Sequence, residues 1–406
     1  MSEKLVVVGQ GAAGLPLAMR AVEAGFRVVG VDADEWLVKR LNAGEPCDGA
    51  DESALAAAHA SGRYTATAGY ADAADFDVCA VTVPVRMRGG APDLDALTDV
   101  GERIAPLLRP GATVVLESTA YPGTTEEWLG PLLEDGSGLA PGEDFHLGYS
   151  PARREPGNPR WRLANIPRLV SGVGPAALER VTAFYGRLVR EVVPVSSPRT
   201  AELAGLLETV FTHVNTALAN EVSLFAAQLG VDAWEAVEAA STRPFGYLRF
   251  APSPGLDAPC LPLDASLLPW RVRRGGDRTF RLVELANDVN EHMADEVVAR
   301  LGRALNRRCR SIRGSRILLL GLTPIEVPKA LCRLGARVRA ADPGAADLLL
   351  PAGIELVEPA NAELARADAV VVLSGDDCFD YDRVQRASRF VFDTRDRCRG
   401  ANVERL

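Results

Sequence analysis

A doubly wound α/β architecture that occurs twice, with a helical region between the two parallel sheets, is the fold class the sequence predicts. Three observations predict it. Short apolar runs of the buried parallel-strand type, such as Lys4–Val8 and Arg27–Val31, alternate with helical stretches through the first half of the chain. Thr200–Leu229 then runs without proline at a helical period. The strand and helix alternation restarts at Ser315. A chain of 406 residues exceeds the size at which one core keeps growing, so the expected domains are residues 1–198, 199–306 and 307–406.

Lys4–Val8 leads directly into Gly9-Gln10-Gly11-Ala12-Ala13-Gly14; Leu15–Ala24 reads as a helix and Arg27–Val31 as a second strand ending at Asp32. A Gly-x-Gly-x-x-Gly turn between strand and helix is a Rossmann dinucleotide fingerprint. The first glycine makes the tight turn, the second lets backbone approach a pyrophosphate, and the third lets the helix pack on the strand, its N-terminus facing the phosphates. Asp32, eighteen residues beyond Gly14, is placed to accept from both hydroxyls of an adenosine ribose, which selects NAD over NADP. Gly9, Gly11, Ala12, Ala13, Gly14 and Asp32 are thus candidate cofactor residues.

Asp77–Pro84 is the next strand, Leu94–Leu108 a helix closed by Arg109-Pro110-Gly111, and Ala112–Glu117 a strand running into Ser118 and Thr119. Ligands of open α/β sheets sit outside the carboxyl ends of strands, so Val83, Pro84, Ser118 and Thr119 join the cofactor set, and Thr119 also reaches the substrate. Thr124 or Thr125 reads as a helix N-cap. His146–Pro151 and Pro167–Gly172 are further strands, and Arg190–Pro194 closes the domain.

Leu203, Leu206, Leu207, Val210, Val214, Leu218 and Val222 give Thr200–Leu229 its helical period. A helix of that length spans about 45 Å and forms a spine between domains. Asp232–Ala240 is a second helix, Ser241–Pro262 a Gly/Pro-rich connection, and Leu282–Leu305 again helical. The last domain places strands at Ser315–Gly321, Arg337–Asp342, Ala369–Leu373 and Phe390–Arg395. Its first turn lacks the Gly-x-Gly pattern, so no second dinucleotide is expected there.

Composition excludes several classes. A net charge of −9 argues against a nucleic-acid partner, and no apolar run reaches membrane-spanning length. Met1-Ser2-Glu3-Lys4 has no signal-peptide pattern, so a cytoplasmic location is expected. Seven cysteines without CxxC pairs and four histidines without ligand spacing indicate neither a disulfide framework nor a metal site. Lys4, Lys39 and Lys329 are the only lysines.

Cys260 sits in the Pro-rich turn Pro254–Asp264, with Asp264 four residues downstream. A cysteine there is either a nucleophile or a buried structural thiol. Taken together, Gly9–Pro16, Leu41–Gly44, Glu117-Ser118-Thr119 with Pro122–Glu126, Tyr149-Ser150-Pro151, Asn220-Glu221, Ala240–Thr242 with Pro244-Phe245-Gly246, the Cys260–Asp264 spacing and Asp393-Thr394-Arg395 resemble the UDP-glucose/GDP-mannose dehydrogenase family. The resemblance implies oxidation of a nucleotide-sugar C6 alcohol to a carboxylate with two NAD, a helical dimerisation spine and hence a homodimer, and a C-terminal domain closing over the nucleotide. It makes Cys260 the nucleophile and Asp264 its partner, with Thr119 as a third catalytic residue. It places Ser150, Thr209, Asn220, Arg243, Phe245 and Gly246 against a sugar or nucleoside-type substrate.

The chain departs from that pattern where the chemistry is concentrated. Gly205 and Thr209 stand where the family carries lysine and asparagine, Ala152 replaces a glutamate, and Asp257 and Ala258 replace paired glycines. The segment after Gly321 is about ten residues short and omits the lysine and arginine that the family uses for the nucleotide sugar, a loss for which Lys329 or Arg333 are the nearby substitutes. His213, about 80° round the helix from Gly205, is either a substitute base or an exposed or interface histidine. The expected activity is an NAD-dependent, two-electron oxidation of an alcohol on an altered sugar, nucleoside or nucleotide sugar. One alternative is a redox-neutral enzyme using NAD transiently, of the epimerase, lyase or C–C coupling type. Another is an inactive binding or scaffold relative.

Overall fold

The computed structural model describes residues 3–45, 52–154, 158, 160–255, 266–271, 280–343 and 350–406. The chain forms two compact units, one from Met1–Thr209 and Leu263–Thr279, the other from Val210–Pro262 and Phe280–Leu406.

The first unit is a sheet with helices on both faces. Its elements are β1 (Lys4–Val8), α1 (Gly14–Glu23), β2 (Arg27–Val31), α2 (Glu35–Ala43), α3 (Glu52–Ala60), β3 (Tyr64–Thr67), β4 (Val78–Val81), β5 (Arg86–Arg88), β6 (Ala91–Asp93), α4 (Asp95–Ile104), β7 (Thr113–Leu116), α5 (Gly130–Ser137), β8 (His146–Tyr149), β9 (Arg168–Gly172), α6 (Pro175–Gly186) and β10 (Val192–Pro194). The strand order is β10-β9-β8-β7-β4-β1-β2-β3, so the order reverses between β1 and β4. Val6, Val7 and Val8 are buried between two layers, because α1, α3 and α6 pack on one face of the sheet and α4 and α5 on the other. Each such burial contributes ~1.5–3 kcal/mol. Within this eight-stranded sheet all pairings are parallel except β8 with β9, between which no helix lies among the described residues.

Three features of this unit depart from the sequence reading. The region between Asp32 and Asp77 holds α2, α3 and β3, whose alternation is disguised by the half-polar Tyr-Thr-Ala-Thr strand. The antiparallel β5–β6 hairpin follows Pro84. Neither Thr124 nor Thr125 caps the following helix with its own side chain.

Helix α7 (Pro198–Leu229) begins in the first unit and ends in the second. The second unit adds α8 (Ala233–Ser241), α9 (Arg281–Arg307), β11 (Arg316–Leu320), α10 (Glu326–Arg333), β12 (Arg337–Ala341), β13 (Glu355–Leu356), α11 (Asn361–Arg366), β14 (Ala369–Val372), α12 (Tyr381–Ala387), β15 (Val391–Asp393) and β16 (Val403–Arg405). Its all-parallel sheet runs β13-β12-β11-β14-β15-β16. Of the apolar positions that give α7 its period, Leu206 and Val210 are buried, while Leu203, Leu207, Leu218 and Val222 are exposed. With Phe211, Phe245 and Leu248 also exposed, the second unit presents an apolar groove of ≈ 680 Å³ between α7, α8 and the turn after α8.

Candidate active site

In the first unit the glycine turn is built by contact. Gly9 has φ +94°, and its N–H donates to the Val31 carbonyl at 2.7 Å. A Cβ on Gly14 would stand 1.8 Å from the Gly9 carbonyl oxygen and 2.5 Å from Thr82 Oγ1, so α1 approaches β1 only with glycine at that position. A Cβ on Gly11 would meet nothing within 4 Å, which leaves the middle of the turn open to a ligand. Helix α1 begins with no side-chain cap and no acidic residue in its first turn, so no side chain of the helix competes with an anion at its amino end.

Asp32 lies at the carboxyl end of β2, where Oδ2 accepts from Gln10 N at 2.7 Å and Oδ1 from Asp34 N at 3.0 Å. Those two bonds fix the carboxylate over the turn. Arg154, which the sequence reading missed, donates to the Ala12 carbonyl and brings a guanidinium to the same turn. It lies 142 residues from Ala12, so no local pattern marks it. Open glycine turn, uncapped helix and strand-end carboxylate together fit a dinucleotide.

Val83, Pro84, Ser118 and Thr119 follow the ends of β4 and β7, next to the strand-order reversal. Ser118 is buried and its hydroxyl donates to the Val81 carbonyl at 3.4 Å, whereas Thr119 is half-buried. Behind them, buried Glu117 pairs with buried Arg168 and accepts from the Tyr185 hydroxyl. Burial opposes the charge on Arg168, but Glu117 and Tyr185 outweigh it and its pKa moves up. Burial, and then the Glu117 charge, push the Tyr185 phenol well above its ordinary value.

Ser150 belongs to this buried network. It is 0 % exposed, accepts from Arg168 Nε at 2.7 Å and donates to the Leu169 carbonyl at 2.6 Å. Glu202 of α7 caps the helix that Thr124 and Thr125 were expected to cap. Its carboxylate accepts from Gly123 N at 2.6 Å, Thr125 N at 2.8 Å and Thr125 Oγ1 at 2.7 Å. Burial raises the Glu202 pKa against the pull of those hydrogen bonds. One turn on, Gly205 lies against Pro151, and a Cβ there would stand 2.9 Å from the proline Cβ. Thr209 Oγ1 donates back to the Gly205 carbonyl at 3.4 Å.

In the second unit Asn220 is buried with both ends of its amide engaged. Nδ2 donates to Asn290 Oδ1 at 2.9 Å, and Oδ1 accepts from Ser253 N at 2.7 Å. It therefore ties α7 to α9 and to the segment that leads toward Cys260. Cys260 and Asp264 themselves lie outside the described residues. His213 is neither exposed nor solvent-facing: it is 0 % exposed beside Asn290, and burial lowers its pKa. Arg243 stacks on Phe245 at 4.8 Å, and with Gly246 both lie on the exposed turn after α8.

A cleft of ≈ 860 Å³ opens at the carboxyl ends of β11, β12 and β14, with Arg249, Arg395 and Arg397 among its lining residues. Lys329 and Arg333 are exposed on α10 and do not line it. Asp393 sets the two later arginines: its buried carboxylate accepts from the backbone N–H of Arg395, Arg397 and Cys398 at 2.8, 2.6 and 2.6 Å. Only Arg395 of the three was marked by a sequence motif.

Comparison with known proteins gives a consistent result. Residues 3–189 match the NAD-binding domain of the UDP-glucose/GDP-mannose dehydrogenase family, and residues 199–292 match its central domain. UDP-N-acetyl-D-glucosamine 6-dehydrogenase of Pseudomonas aeruginosa is 34% identical over 79% of this chain and 75% of its own length. NDP-N-acetyl-D-galactosaminuronic acid dehydrogenase of Ralstonia solanacearum is 32% identical over 96% of this chain and 95% of its own. The solved structure of UDP-D-ManNAc dehydrogenase from Pyrococcus horikoshii superposes with a TM-score of 0.88 at 26% identity, covering 99% of each chain.

Proposed function

Because this chain belongs to the UDP-glucose/GDP-mannose dehydrogenase family and is an NAD-dependent dehydrogenase-like enzyme, we propose that it oxidises an alcohol of a nucleotide-sugar substrate by two electrons, to the carbonyl rather than the carboxylate. The observation that carries this reading is Gly205 against Pro151: the position at which the family carries lysine has no side chain, and a Cβ there would press on the proline ring.

No other lysine takes that place in the first unit. Lys4 Nζ donates to the Asp72 carbonyl at 2.7 Å, beside the amino end of β1, and Lys39 is exposed on α2. A further oxidation of the aldehyde passes through a tetrahedral oxyanion, and losing one donor to such an oxyanion costs roughly 10²–10³ in rate. With lysine, asparagine and glutamate replaced by Gly205, Thr209 and Ala152, the first oxidation is the step the remaining groups support.

NAD bound along Gly9–Gly14 and Asp32 supplies the hydride acceptor. Thr119, half-buried past the end of β7, orients the alcohol, and Ser118 and Glu117 hold the strand end that carries it. Cys260 and Asp264 are assigned to the substrate by the family resemblance alone, and the proposed reaction forms no thioester. The relatives named above act on UDP- or NDP-linked N-acetyl sugars, and a UDP-linked N-acetyl sugar is the substrate class assigned to this chain. Arg249, Arg395 and Arg397 support the diphosphate in the cleft of the second unit. The apolar groove on α7 and α8 is assigned to a second copy of the chain, since the exposed side chains of Phe211, Leu218, Val222 and Leu248 cluster there.

The test is to incubate the enzyme with NAD and a panel of UDP-N-acetylhexosamines, follow NADH at 340 nm and trap the product. An aldehyde with one NADH per substrate is expected; a carboxylate with two, or exchange without net NADH, overturns the reading.

A further inference from the structure

The second unit lacks the glycine fingerprint, yet it repeats the part of the turn that holds the ribose-binding carboxylate in the first. Strands β12-β11-β14 stand in the order of β2-β1-β4. Gly321 has φ +91° beside +94° for Gly9, and its N–H donates to the Ala341 carbonyl at 2.9 Å as that of Gly9 donates to Val31 at 2.7 Å. The next N–H does the same work in both: Leu322 N donates to Asp342 Oδ2 at 3.0 Å, and Gln10 N to Asp32 Oδ2 at 2.7 Å. A Cβ on Gly321 would stand 2.7 Å from Ser374 Cβ, past the end of β14, as one on Gly9 would stand 2.9 Å from Thr82 Oγ1, past the end of β4.

The two turns diverge where phosphate would bind. Gly11 and Gly14 have no counterparts in Thr323-Pro324-Ile325-Glu326, and α10 starts with the exposed carboxylate of Glu326, which opposes an anion at that helix end. The second unit has therefore kept the carboxylate and lost the pyrophosphate cradle. Asp342 is half-buried and lines the ≈ 860 Å³ cleft that also holds Arg249, Arg395 and Arg397.

We infer that Asp342 is a substrate-binding residue that accepts hydrogen bonds from the ribose diol of a ribonucleoside diphosphate, leaving the phosphates to the cleft arginines. This rests on the nucleotide-sugar reading above and goes beyond it by assigning which end of the nucleotide the second unit selects. A vicinal diol offers two O–H donors to one carboxylate, and a 2′-deoxy analogue offers one. The lost bond to a charged acceptor weakens binding by about tenfold or more.

The test is calorimetric titration of the full-length, NAD-saturated protein with UDP and with 2′-deoxy-UDP, using wild type and D342N. Wild type is expected to bind UDP at least about tenfold more tightly than 2′-deoxy-UDP. D342N, which keeps an acceptor for Leu322 N, is expected to bind the two alike while its affinity for NAD is unchanged. Equal wild-type affinities, or a preference that survives in D342N, overturn the assignment while leaving the nucleotide reading intact. Failure of wild type to bind either nucleotide overturns both.

Discussion

A Cβ placed on Gly205 would stand 2.9 Å from the Cβ of Pro151, so helix α7 packs on the loop after β8 at a distance that only glycine allows. G205A should therefore lower stability by about 1–3 kcal/mol through overpacking, against a gain of up to about 1 kcal/mol from helix propensity. Urea denaturation reads the difference. A G205A protein more stable than wild type contradicts the packing argument.

Asp32 accepts from Gln10 N and Asp34 N at the carboxyl end of β2, and we propose that it also accepts from the adenosine ribose of NAD. D32A should weaken NAD binding by about tenfold or more, the value of a hydrogen bond to a charged group, and narrow the preference for NAD over NADP. Titration by protein fluorescence checks this. Unchanged NAD affinity in a folded variant removes the ribose assignment.

The glycine fingerprint was legible because its causes are local: Gly9, Gly14 and Asp32 meet across one strand-turn-helix-strand unit. What escaped was set by long-range contact. Glu202 takes the capping role of Thr125 from 77 residues away, and Ser150 spends its hydroxyl on Arg168 and Leu169. The periodic apolar stripe of α7 identified a helix correctly, but its period cannot tell a face buried in its own fold from one presented outward. Leu218 and Val222 face outward, while Asn220 and His213 are buried.

That outward face leads to a prediction about assembly. Leu218 is 58% and Phe225 55% exposed. L218E with F225E should shift the proposed dimer to monomer in sedimentation velocity without loss of helical circular dichroism. A wild-type monomer at all concentrations, or a dimer unaffected by both charges, counts against the interface.

His213 makes stability pH-dependent. Burial lowers its folded pKa below the ordinary 6.5, so the unfolded chain binds a proton that the folded chain excludes. The His213 contribution is present in full above pH 6.5 and is lost as pH falls below it. H213Q should lose less stability than wild type between about pH 7.5 and pH 5.5, by the linkage of protons to unfolding. Equal losses in thermal melts across that range exclude His213 as the cause.

The most direct measurement is the ratio of NADH formed to nucleotide sugar consumed at completion, with the product captured as a hydrazone or resolved as a free acid by mass spectrometry. One NADH per substrate with an aldehyde product is the predicted result. Two NADH per substrate with a carboxylate would show that the second oxidation proceeds without a lysine at position 205, and would contradict the account.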